Sequence, residues 1–129
     1  MVAEASEQRT VVSILLIEDD RDIRELVSEI FEGEGYSVAT ACDGAQGLEL
    51  LRTMRPKLIL VDLNMPVMNG LEFNAARVQD PALRAIPTIV MTAADRGYGR
   101  AEALEVWGVI TKPVSLEALL ALGVRFCRD

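Results

Sequence analysis

Histidine is absent from all 129 residues. That removes the usual zinc ligand sets, any Ser-His-Asp triad and any role as a carrier of phosphohistidine. Cysteine is nearly as scarce: Cys42 and Cys127 stand in no ligand-like spacing and read as reduced thiols rather than a disulfide. Long apolar runs are missing too, since no window approaches the roughly 18 consecutive apolar residues of a membrane span. Cations are outnumbered, with 13 Lys and Arg against 20 Asp and Glu and a net charge of -7. A nucleic-acid surface needs clustered Lys and Arg against phosphate, so direct nucleic-acid binding is excluded. The N-terminal stretch MVAEASEQRT is acidic and polar, and the apolar run behind it stops at Glu18-Asp19-Asp20. This is not the pattern of a signal peptide, and a cytoplasmic protein with no membrane partner is expected. Any chemistry must rest on carboxylates, lysine, threonine or backbone.

What is present is an ordinary globular balance, 50% apolar and 26% charged. The length suits one domain, able to bury about two-thirds of its unfolded surface. Residues 1–10 read as a polar extension and residues 11–129 as the domain. Val11 to Ile17 is a continuous, partly β-branched apolar run, the mark of a strand buried on both faces. Ile23, Leu26, Val27, Ile30 and Phe31 then recur at helical spacing. Asp19 or Asp20 can cap that helix, and Gly33 and Gly35 mark its end. Tyr36 to Cys42 reads as a second strand. Leu48, Leu51 and Met54 suggest a second helix, stopped before Pro56. Lys57 to Leu63 is a third strand, Leu71 to Val78 a third helix and Pro87 to Thr92 a fourth strand. A fourth helix is expected over residues 93–106, weakened by Gly97 and Gly99. Val109 to Thr111 is a brief fifth strand, and a last helix runs from a Ser115 cap to about Phe126.

Strands alternating with helices at this spacing indicate an α/β fold, a doubly wound parallel sheet with helices on both faces. Sites in such folds lie beyond the carboxyl ends of the strands. Four of the five strands end there in a chemically capable group: Glu18-Asp19-Asp20, Asp62, Thr92 and Lys112. Gathered carboxylates repel one another and call for a cation. An oxygen-only set without a glycine-rich calcium loop suits Mg2+. Lys112 can bind a phosphoryl oxygen or pair with Asp62, the Thr92 hydroxyl can donate to another, and the small Ala93 leaves room. Charge neutralisation with positioning is what phosphoryl transfer requires, and a carboxylate nucleophile gives an aspartyl phosphate.

The segments ILLIEDD (14–20), VDLNMPVMNG (61–70), Met91-Thr92-Ala93 and Lys112-Pro113 together resemble the four signatures of response-regulator receiver domains. The likeness runs from about Val11 to Cys127. It implies a flavodoxin-like five-stranded sheet in the order 2-1-3-4-5. It further implies that Glu18, Asp19 and Asp62, with the Asn64 backbone carbonyl, surround Mg2+ and that Asp62 is the phosphoacceptor. Thr92 and Lys112 would contact the phosphoryl group across a cis Lys112-Pro113 bond. The phosphodonor would be a sensor histidine kinase or histidine phosphotransferase, and the chain a signalling domain that catalyses only its own phosphoryl transfer and slow dephosphorylation.

Val109 departs from the family, which commonly has an aromatic three residues before the lysine; Trp107 lies two places earlier. With Gly97 and Gly99 close by, the expected response is backbone ordering of residues 94–106 rather than the swing of a ring. Two other functions share parts of this pattern. An aspartyl-phosphate hydrolase needs a second acid two residues after the nucleophile, where this chain has Asn64. A non-phosphorylated docking module with the same fold is the alternative that the unusual 94–109 segment permits.

Overall fold

Runs of Ile, Leu and Val in three strands make the centre of the protein. The computed structural model describes residues 10–93 and 105–128. Its strands are β1 (Thr10–Ile17), β2 (Val38–Ala41), β3 (Met54–Asp62), β4 (Thr88–Ala93) and β5 (Gly108–Lys112). They form one all-parallel sheet in the order β2-β1-β3-β4-β5, the doubly wound topology the sequence implies. Successive side chains of a strand point to opposite faces, so an unbroken apolar run serves two cores. Leu15, Ile17, Ile59 and Val61 meet Leu51 and Phe73 on one face. Ile14, Leu16, Leu58 and Leu60 meet Val27, Phe31 and Leu119 on the other.

The helices are α1 (Arg21–Gly33), α2 (Gly44–Leu50), α3 (Gly70–Arg77), α4 (Pro81–Arg84) and α5 (Leu116–Cys127). Asp20, not Asp19, caps α1, accepting from the amides of Asp22 and Ile23. Asp19 is thereby left available to the sheet edge. Gly35 ends that helix in the left-handed region (φ 91°), which lets the Tyr36 amide return to the Phe31 carbonyl. Ser115 caps α5 as expected, its Oγ accepting from Ala118.

Several boundaries differ from the sequence reading. Met54 is not the end of a helix: α2 stops at Leu50 and Met54 opens β3. The reason is tertiary, because the lower part of β1, beginning already at Thr10, pairs with Met54, Arg55 and Pro56. Proline is admitted to that strand next to a break in the ladder. Ser13 and Lys57 skip their pairing, and the Ser13 amide donates to Ser37 Oγ at 2.8 Å instead. β2 is shorter than Tyr36 to Cys42, and Val78 is the cap of α3 rather than its last turn. The single turn α4 was not foreseen; Asp80 caps it and Pro81 suits its first position. Of the expected fourth helix, Ala93 instead closes β4, and Glu105 and Val106 are not helical. Residues 94–104, with Gly97, Gly99 and the ordering expected of them, lie outside the described residues. No helix among the described residues is long and apolar enough to cross a membrane.

Candidate functional site

Parallel register brings the chemically capable residues to one edge. Ile17 pairs with Val61, so Glu18 and Asp62 follow on neighbouring strands. Asp62 pairs with Met91, which puts Thr92 one residue further along β4, and Ala93 pairs with Lys112. One carboxylate oxygen from each of Glu18, Asp19 and Asp62 lies within 4.8 Å of the others. Glu18 is fully buried and Asp62 is 5% exposed, whereas Asp19 is exposed.

Lys112 links the two buried acids. Its Nζ lies 2.7 Å from Glu18 Oε1 and 3.1 Å from Asp62 Oδ2. The closer partner is therefore Glu18, where the sequence pointed to Asp62. The remaining oxygens also have donors: the Asp20 amide reaches Glu18 Oε2 at 3.2 Å, and the Asn64 amide reaches Asp62 Oδ1 at 3.3 Å. Thr92 is buried, with its hydroxyl in a long 3.4 Å contact to its neighbour's carbonyl. The Lys112-Pro113 bond is cis, as expected.

Burial pushes the Glu18 carboxyl up to about 7, with the Asp62 charge adding to the rise and Lys112 opposing it. For Lys112 burial favours the neutral amine, but the hydrogen bond to Glu18 and both carboxylate charges outweigh it, and its pKa is raised. Three acids with only oxygen donors and one lysine are an incomplete charge balance, and a hard divalent cation fits the donor set. A raised carboxyl pKa means that the folded state holds the proton more tightly than the unfolded chain. The contribution to stability is then largest below the unfolded value, 4.5, and is lost as pH rises through about 7. In chelator, Glu18→Gln should gain stability relative to the native protein as pH rises from about 4.5 to above 7. Denaturant melts of both proteins across that window check this, and a constant difference would refute the burial argument.

The loop after β3 is held tightly beneath the site. Asn69 forms a capping box with Glu72 at the start of α3. The Gly70 amide donates to the Leu63 carbonyl at 2.9 Å. A Cβ at Gly70 would lie 2.5 Å from the Asp62 carbonyl oxygen and 2.8 Å from Leu63 Cα, both backbone atoms with little freedom to yield. Gly70→Ala should therefore cost about 1–3 kcal/mol, the usual penalty for overpacking. A melting temperature equal to that of the native protein would contradict this.

Two features of the site were not read from the sequence. Glu18 and Lys112 are 94 residues apart, and nothing local signals their pairing. Arg24 folds back from α1 to donate to the carbonyls of Glu18 and Asp19. Its place one turn after the acids was the available signal.

Comparison with known proteins identifies the same pattern. The family model described as the response regulator receiver domain matches residues 14–122. Response regulator MprA of Mycobacterium sp. (strain KMS) is 36% identical over 112 residues, covering 85% of this chain and 48% of that protein. The chain thus spans about half the length of such relatives. Among solved structures, the receiver domain of a signal transduction histidine kinase from Syntrophus aciditrophicus is 30% identical with a TM-score of 0.82, covering 89% of each chain. The chemotaxis response regulator CheY4 of Vibrio cholerae is 31% identical with a TM-score of 0.80, covering 91% of this chain and 99% of that one.

Proposed function

The chain belongs to the response regulator receiver domain family of two-component systems, and on that premise we propose that it accepts a phosphoryl group on Asp62 with the help of Mg2+. The observation that carries this reading is one lysine shared by two buried carboxylates, with a third carboxylate in reach. Glu18, Asp19 and Asp62, with the Asn64 carbonyl, are the residues that would hold the metal. When bound, the ion neutralises the crowded acids and the charge on the incoming phosphoryl oxygens.

The other steps belong to the protein. An Asp62 carboxylate oxygen attacks phosphorus while the bond to the donor breaks, giving an acyl phosphate and the freed donor group. The donor nitrogen would be that of a phosphohistidine on a kinase or phosphotransferase. Lys112 exchanges its contact with Asp62 for one with a phosphoryl oxygen, keeping its charge beside the transferred group. The Thr92 hydroxyl gives up a weak contact to donate to a second oxygen. The domain is then a signalling module whose surface changes with phosphorylation.

Incubation with Mg2+ and acetyl phosphate, followed by intact-mass measurement, tests the proposal. One phosphoryl adduct that disappears in chelator is expected. No adduct from a protein that binds Mg2+ would leave the docking-module reading in its place.

A further inference from the structure

We infer that Arg24 is a positioning residue for the metal site, clamping the backbone that presents Glu18 and Asp19. This rests on the phosphoacceptor reading above and deepens it.

The geometry is specific. Arg24 Nη1 donates to the Glu18 carbonyl at 2.8 Å and to the Asp19 carbonyl at 3.3 Å. Among the described residues Arg24 has no carboxylate within ion-pair distance, so these carbonyls are what its guanidinium serves. The two carbonyls belong to successive peptide groups, those joining Glu18 to Asp19 and Asp19 to Asp20. Holding both planes sets the direction in which both side chains leave the chain. The carboxylates of the same two residues are gathered with that of Asp62.

The need for such a clamp follows from charge. Three carboxylates within 4.8 Å push the β1–α1 connection outward whenever they are not fully compensated. Among the described residues the ion pairs of Lys112 are with Glu18 and Asp62, not with Asp19. Asp19 is exposed, and its carbonyl accepts from Arg24. The Asp20 cap, the Asp20 amide on Glu18 Oε2 and the Arg24 amide on the Asp20 carbonyl fix the end of this connection toward the helix. Arg24 Nη1 fixes the end toward the strand. A site whose ligands are already in place binds its ion without the cost of ordering them.

Arg24→Ala should weaken Mg2+ binding on the order of ten-fold, since one charge-assisted hydrogen bond of this type contributes about that much. Isothermal calorimetry on the native protein, Arg24→Ala and Arg24→Lys reads the affinity directly. The lysine can keep one of the two carbonyl contacts and should recover part of the loss. At saturating Mg2+ the rate of phosphorylation by acetyl phosphate should return close to the native value. Without metal, the Asp20 amide should exchange faster in Arg24→Ala than in the native protein. Unchanged Mg2+ affinity in a folded Arg24→Ala, even with a lowered melting temperature, would reduce Arg24 to a structural residue and overturn the inference. If the alanine variant does not fold, Arg24→Lys and Arg24→Gln decide in the same way, with full affinity in both overturning it. Failure of the underlying phosphoacceptor reading looks different: the native protein itself would bind no Mg2+ or gain no phosphoryl group.

Discussion

Asp62→Asn is expected to eliminate phosphorylation outright while leaving the domain folded. The amide has the shape of the carboxylate but neither its charge nor a nucleophilic oxygen capable of forming the acyl phosphate. The fold should tolerate the change, because Lys112 keeps its closer partner, Glu18 Oε1, and the Asn64 amide can still donate to the side-chain oxygen at position 62. Removing one of three neighbouring acids also lowers their mutual repulsion, so metal-free stability should stay the same or rise. Intact mass after incubation with Mg2+ and acetyl phosphate gives the answer, with a denaturant melt as the control. An undiminished adduct in Asp62→Asn would place the phosphoacceptor elsewhere, with Asp19 the first residue to examine.

The second large effect is on stability, and it comes from a residue that no charge pattern singles out. Arg77 ends α3 and is 1% exposed. Its Nε donates to Asn74 Oδ1 at 3.0 Å and its Nη2 to the Glu105 carbonyl at 2.6 Å. Nη1 is shared among the carbonyls of Leu83, Arg84 and Ile86 at 3.3, 3.1 and 3.4 Å. One guanidinium thus ties α3, the α4–β4 connection and the approach to β5. A lysine, with one compact ammonium, could not span these acceptors. Burial presses the Arg77 pKa down, offset in part by the nearby Glu105 charge. The Glu105 carboxylate itself meets Arg84 at 2.6 Å, but both side chains are more than half exposed, so that pair contributes little.

Arg77→Ala removes every one of these donors and opens a cavity, at an expected cost of about 3 kcal/mol. For a domain of this size that lowers the melting temperature by about 10 °C. Arg77→Met retains much of the volume without the donors, and comparing the two separates packing from hydrogen bonding. A loss below about 1 kcal/mol in Arg77→Ala would mean that water or rearranged backbone replaces the guanidinium.

Residue order alone carries the architecture and most of the candidate site, because both depend on local chemistry. Strands buried on two faces must be unbroken apolar runs, and Ile14–Ile17 and Leu58–Val61 show this directly. Caps declare themselves through short polar side chains, as at Asp20 and Ser115. Parallel strands of known order put their C-terminal residues at one edge, so Glu18, Asp62, Thr92 and Lys112 could be grouped before any coordinates. What folding alone decided involves partners distant in sequence. Met54 continues a helical spacing in the sequence, but it pairs with Thr10 and opens β3, a partner that no local periodicity signals. Arg77 lies in an amphipathic stretch where a long cation reads as solvated; it is buried because carbonyls from two separate segments, residues 83–86 and Glu105, converge on it. Glu18 rather than Asp62 is the nearer partner of Lys112, a choice made by strand register and side-chain reach across 94 residues. Periodicity reports which face a residue occupies, whereas a buried polar group is stable only with the donors and acceptors that the whole fold brings to it.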